Sequence, residues 1–126
     1  MIYKTQIKLP LETVKKQLEE KAKEVGFGVL GSYEFKKILK SKGFEIEKDI
    51  TVYELCNPPA AQAALTALSE ISVYLPCRLS VYEEDGHTIL ATIGIEDILN
   101  AIKVDEELKK YLGDIFNKLR SIMNSW

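Results

Sequence analysis

The side chains best suited to chemistry near neutral pH are two cysteines, Cys56 and Cys77, and one histidine, His87. Cys56 stands directly before Asn57 and Pro58, a pair that reads as the cap and first residue of a helix. Amide N–H groups at a helix start favour an anion, so a thiol there could have a lowered pKa and act as a nucleophile. Cys77 follows Pro76 and precedes Arg78. The Arg78 guanidinium could support a thiolate or bind an acidic ligand, although a regular strand turns it to the opposite sheet face from Cys77. The competing reading is that both cysteines are small buried hydrophobes. Two cysteines and one histidine are too few for a four-ligand zinc site built from Cys and His. A disulfide would need Cα atoms roughly 4.4–6.8 Å apart, a distance that chain order does not supply.

Other constellations carry less. Glu83, Glu84 and Asp85 gather with His87 at what reads as a hairpin tip, where a solvated turn is the favoured reading over a divalent-ion site. Gly26, Gly28 and Gly31 end a helix and enter a strand, whereas a dinucleotide loop follows a strand and opens a helix. No phosphate-binding loop and no arguable serine–histidine–acid set is present, so no catalytic residue, metal or cofactor is expected.

The elements that must position these residues follow from periodicity. Ile2–Lys8 alternates as a strand, with Tyr3, Thr5 and Ile7 on one face. Leu11, Val14, Leu18, Ala22 and Val25 form one apolar helical stripe, closed by Gly26. Phe27–Tyr33 reads as a strand, Glu34–Lys42 as a short helix stopped by Gly43, and Phe44–Leu55 as a strand again. An alanine-rich helix, Pro58–Ser69, leads into a long strand candidate, Ile71–Glu84. Asp85-Gly86 is a hairpin turn that would pair Glu84 with His87, Tyr82 with Ile89 and Arg78 with Ile93. After the return strand His87–Ile93, Ile95–Ile102 suits a short helix and Asp105 a cap. The last helix, about 105–124, repeats apolar residues from Leu108 through Leu112, Ile115, Leu119 and Ile122 to Trp126. Trp126, as the final residue, is the one expected to touch another subunit.

The 126 residues suit one domain, 1–126, with no repeat or linker. The order β-α-β-α-β-α-β-β-α implies an α+β fold: a mainly antiparallel sheet with helices packed on one face. The uncovered face suggests a homodimer. Acids outnumber bases 19 to 17, which argues against a nucleic-acid partner. No apolar run is long enough to span a bilayer and Lys4 and Lys8 interrupt any leader-like start, so a cytoplasmic protein is expected. Leu55–Cys77 is anomalous: Glu70 is its one charged residue among 23. Such a segment is either buried on several sides, through Ala60, Ala61, Ala63, Ala64 and Ala67, or covered by a ligand or partner.

Cys56-Asn57-Pro58, Ala61 and Leu65, Leu75-Pro76-Cys77-Arg78, Val81-Tyr82-Glu83 and Asp85-Gly86, in that order, resemble the family catalogued as domain of unknown function 302. Gly26–Leu30 and the spacing of Leu39 and Gly43 agree with it, so the resemblance spans about residues 26–94. It implies a fold of the TATA-binding-protein-like kind, a likeness of architecture without a claim on DNA. It implies no activity. Members often carry a proline soon after the return strand, where Gly94-Ile95 stands here. The expectation is a non-catalytic domain that binds a small ligand or a protein through Cys56, Asn57, Pro58, Pro76, Cys77 and Arg78. The alternative is a thiol-based redox or sulfur-carrier protein using Cys56.

Overall fold

A computed structural model describes all residues, 1–126. Five strands form one antiparallel sheet: β1 (Ile2–Ile7), β2 (Gly28–Glu34), β3 (Thr51–Cys56), β4 (Cys77–Glu84) and β5 (His87–Ile93), in the spatial order β1-β5-β4-β3-β2. The helices are α1 (Leu11–Glu24), α2 (Phe35–Ser41), α3 (Pro58–Ala67), α4 (Ile95–Ala101) and α5 (Glu106–Met123), with a 3-10 turn at Ser69–Tyr74. The α+β fold with an antiparallel sheet is therefore as the sequence implied.

The core lies between one sheet face and a helical layer. Alternation turns Ile7, Leu55, Leu79, Val81 and Leu90 inward. The α1 stripe buries Leu11, Val14, Leu18 and Ala22 against them. Helix α5 buries Leu112, Ile115, Leu119, Ile122 and Met123, and its start is capped where Asp105 Oδ1 accepts from the Leu108 N–H at 2.8 Å. Three threonine hydroxyls beside this core donate to carbonyls: Thr5 to Met123, Thr88 to Leu9 and Thr92 to Arg78. The Asp85-Gly86 hairpin pairs Glu84 with His87 and Tyr82 with Ile89 as expected, and the ladder continues to Ser80 and Ala91.

The outer sheet face is mixed in polarity. Ile89 and Ala91 lie there, flanked across the ladders by Gln6 and Lys4 on one side and Tyr82 and Ser80 on the other. Both are nearly buried, so the sheet's own side chains cover much of what a second subunit was invoked to hide.

Two local expectations are corrected. Phe44–Leu55 is a strand only over Thr51–Cys56. The preceding stretch carries Glu45, Glu47, Lys48 and Asp49, and Phe44 is 71 % exposed, so it offers no face to bury. The long strand Ile71–Glu84 starts at Cys77, because Ser69–Tyr74 is a 3-10 turn. Its burial has a period of three, with Ile71 buried, Ser72 and Val73 exposed and Tyr74 half-buried, which is the spacing of that turn and not of a strand. The Leu75–Pro76 peptide bond that follows is cis. Trp126 is held by its own chain: its Nε1–H donates to Gln17 Oε1 at 2.8 Å and Lys21 Nζ sits 4.7 Å from its ring centre.

Asn57 joins three elements. Its Oδ1 accepts from the Ala60 N–H at 3.0 Å and caps α3, while its Nδ2–H donates to the Gly26 carbonyl at 3.1 Å beyond the end of α1. Gly26 adopts φ +87°, and a Cβ there would stand 3.1 Å from Asn57 Nδ2. Asn57→Ala should cost about 1 kcal/mol of stability in urea unfolding, and Asn57→Asp, which keeps the cap and loses the donor to Gly26, should cost less. Equal losses would show that the cap is not the dominant contribution. Thr51 Oγ1 is buried without a hydrogen-bond partner. Thr51→Val should therefore raise stability by roughly 1 kcal/mol, and a loss by the same measurement would show that the hydroxyl is satisfied.

Candidate functional site

The end of β3 and the start of β4 lie side by side, with Leu55 opposite Cys77 in the ladder. Helix α3 leaves this corner at once, because Asn57 and Pro58 follow Cys56 directly. It approaches the core through alanine: Ala60 and Ala64 are its only buried residues. Helix α5 packs against α3 from the opposite side and presents Leu112, Ile115 and Phe116. A cavity of about 310 Å³ is lined by both helices, and is bounded also by Phe27 and Leu55. That volume is at the lower end of the roughly 300–1,000 Å³ found for small-molecule sites.

Four of the six sequence-selected residues line this cavity: Cys56, Asn57, Pro76 and Cys77. Pro58 does not; it is exposed on the first turn of α3. Arg78 lies instead on a second, adjoining cavity of about 210 Å³ that shares Leu75, Pro76, Cys77 and Phe116 with the first. Its side chain is 70 % exposed, with Nε 3.7 Å from Glu54 Oε2. Glu54 also accepts from the Tyr33 hydroxyl at 2.8 Å, and this hydrogen bond to the carboxylate raises the Tyr33 pKa. No charged side chain lines the larger cavity, whose only polar side chains are the two thiols, Asn57 and Ser72.

The start of α3 is not the anion site that its position suggested. Pro58 and Pro59 have no N–H to offer. The Ala60 N–H is taken by Asn57 Oδ1 and the Ala61 N–H by the Asn57 carbonyl. The first turn thus has no free amide directed at Cys56, and the expected amide support for a thiolate is missing. Cys77 is pushed the other way: burial above all, and then the neighbouring Cys56, raise its pKa to about 12. Both cysteines are free thiols.

The hairpin tip carries Glu83, Glu84 and Asp85 in the open, and His87 is exposed with Nδ1 3.1 Å from the Asp85 carbonyl. Nowhere do three or more His, Cys, Asp or Glu side chains converge closely enough to hold a metal ion. No helix is long and apolar enough to cross a membrane.

The residues that sequence reading did not assign to the site are Leu112, Ile115 and Phe116, together with Phe27 and Leu30. The first three belong to an apolar stripe that marks them only as core. Nothing in their spacing shows that the helix opposite them presents alanine.

None of the curated proteins matches this chain. Its structure is similar to the crystal structure of uncharacterized conserved protein DUF302 from Bacillus stearothermophilus. The TM-score is 0.88 at 28% sequence identity, over 98% of this chain and 95% of that one. A family model, Domain of unknown function DUF302, matches residues 3–126, more of the chain than the motifs alone marked out. The chain belongs to that family.

Proposed function

We propose that this chain is a non-catalytic binding domain that takes a small, uncharged, largely apolar ligand between α3, α5 and the ends of β3 and β4. The observation that carries the reading is the cavity of about 310 Å³ lined by both cysteine motifs and by no charged side chain. A charged ligand would lose its hydration there without a counter-charge, which is costly. An apolar one would exchange water for Leu112, Ile115, Phe116 and the alanines of α3, at roughly 25 cal/mol per Å² of apolar surface buried. Specificity then comes from shape and from the few polar atoms at the margin, chiefly the thiols and the Ser72 hydroxyl.

Thiol catalysis has weaker support. A nucleophilic cysteine needs a stabilised thiolate, and neither a free helix-start amide nor a paired cation is directed at Cys56. Arg78 is engaged with Glu54 instead.

The direct test is binding of a neutral apolar fluorophore, N-phenylnaphthylamine. The chain should bind one molecule, and Ala64→Leu, which grows into the cavity, should abolish binding without lowering the melting temperature. Binding that survives Ala64→Leu would place the dye elsewhere and defeat the proposal.

The thiol state gives a second test. In a Cys56→Ser variant, Cys77 should react with iodoacetamide far more slowly in the native chain than in urea at pH 8, because its raised pKa keeps it protonated. Equal rates would overturn the burial argument. The sign for stability is also set. The pKa rises from 9.0 to about 12 on folding, so above pH 9 the unfolded thiol has lost a proton that the folded one keeps. This contribution is therefore fully present below pH 9 and is lost as pH rises towards 12. Cys77→Ala should show a shallower loss of stability over that window.

A further inference from the structure

Two cavities meet at the first residue of β4. Cys77 and its neighbours Leu75 and Pro76 border both, together with Phe116 of α5. The strand order sets how they lie. β4 stands between β3 and β5 in the sheet, so space centred on Cys77 can extend either way across the strand ends. The larger cavity, about 310 Å³, extends to the β3 side, where Leu55 and Cys56 border it together with α3. The smaller, about 210 Å³, extends to the β5 side, where Thr92 and Ile93 border it beside Ile98 of α4. Neighbouring strands lie about 4.8 Å apart, so the two cavities together span roughly 10 Å from β3 to β5. A compact ligand fills one of them. Only a chain-like ligand fills both.

The two ends differ in polarity. No charged side chain borders the larger cavity, whereas Arg78 and Thr92 border the smaller. Arg78 Nε stands 3.7 Å from Glu54 Oε2, and Glu54 Oε1 accepts from the Tyr33 hydroxyl, so the one charge at this end is already matched. An anionic head group would find no unmatched cation, and its own charge would lie against apolar walls. What this end does offer is hydrogen bonding. Thr92 Oγ1 spends its proton on the Arg78 carbonyl at 2.7 Å and keeps its lone pairs. The guanidinium carries several N–H donors, and the Glu54 contact engages it through Nε. An uncharged group that both donates and accepts, such as a hydroxyl, suits this pair of partners.

We propose that the two cavities form one elongated site for a neutral single-chain amphiphile of the long-chain alcohol class. Its alkyl chain fills the larger cavity against Leu112, Ile115 and the alanines of α3. The chain passes between Cys77 and Phe116, and its hydroxyl end lies in the smaller cavity beside Thr92 and Arg78. This rests on the apolar-ligand reading of the larger cavity and adds the length of the ligand and the identity of its polar end.

The experiment is calorimetric titration of the full chain with the straight-chain alcohols hexanol, octanol, decanol and dodecanol. Affinity should rise about fourfold for each methylene added, and should go on rising through dodecanol. Ile98→Phe grows into the smaller cavity from α4, where Ile98 is buried. Val73→Phe narrows the same cavity from a position that is 82 % exposed, so it should melt as the parent chain does. In both variants hexanol should bind as in the parent, and the rise should stop before dodecanol. An unbroken rise in either folded variant, or a plateau by octanol in the parent chain, would overturn the proposal. Dodecanoate should bind no tighter than dodecanol, and tighter binding would overturn the neutral polar end. N-phenylnaphthylamine binding, measured in parallel, separates this inference from the reading it rests on. Dye bound with a plateau by octanol removes only the elongated site, and neither dye nor alcohol bound removes both.

Discussion

Helix α3 meets the core only through Ala60 and Ala64, and this shortage of side-chain volume shapes everything around it. Protein interiors pack to the density of organic crystals, so a helix with small side chains must either approach its neighbours closely or leave a gap. Here α3, fixed by its cap within two residues of β3, packs closely on α5 and still leaves open space along its alanine face. Helix α5 buries Leu112, Ile115, Leu119 and Ile122 in the common core. The gap that remains is the cavity. The site is thus a consequence of packing before it is a matter of chemistry.

The same corner leaves the helix start without free donors for a thiolate. A helix start is an anion site only while its first N–H groups are free. Two prolines remove two donors, and the Asn57 side chain and carbonyl occupy the next two. Asn57 serves structure in both directions, holding the turn after α1 with its amide and the start of α3 with its oxygen. A site built for a nucleophile would leave one of these donors open. Closing them makes the corner electrically quiet, which suits an uncharged occupant and penalises a bare thiolate.

Much of the fold was legible in the residues because its signals are local. The stripes of α1 and α5, the Asp85-Gly86 hairpin and the caps at Asn57 and Asp105 are each set within a few residues. Failures came where tertiary context decides. Ile71, Val73 and Leu75 alternate as in a strand while Ile71 and Tyr74 stand three apart as in a 3-10 turn, so the two look alike until burial separates them. At the site, Cys56, Asn57, Pro76 and Cys77 were found because their motifs are dense in unusual residues. Leu112, Ile115 and Phe116 were not, because a cavity wall and a core stripe have the same composition. Pro58-Pro59 held the information that the helix start lacks donors, but it was read only as a helix signal.

Gly94 shows how one small residue shapes the edge of the sheet. The Gly94 N–H donates to the Met1 carbonyl at 2.7 Å, a bond that proline at this position could not make. A Cβ there would stand only 3.1 Å from that same carbonyl oxygen, so the close approach of Met1, just before β1, also disfavours any larger side chain. The bond ties the edge strand β1 to the chain just where β5 hands over to α4. Helix α4 then buries Ile95 and Ile98, and Ile98 borders the smaller cavity beside Cys77. A substitution at Gly94 would therefore act on the sheet edge first and reach the cysteine corner only through α4. The cavity's shape is set from α3 and α5, and the far side of the sheet supplies the frame on which they rest.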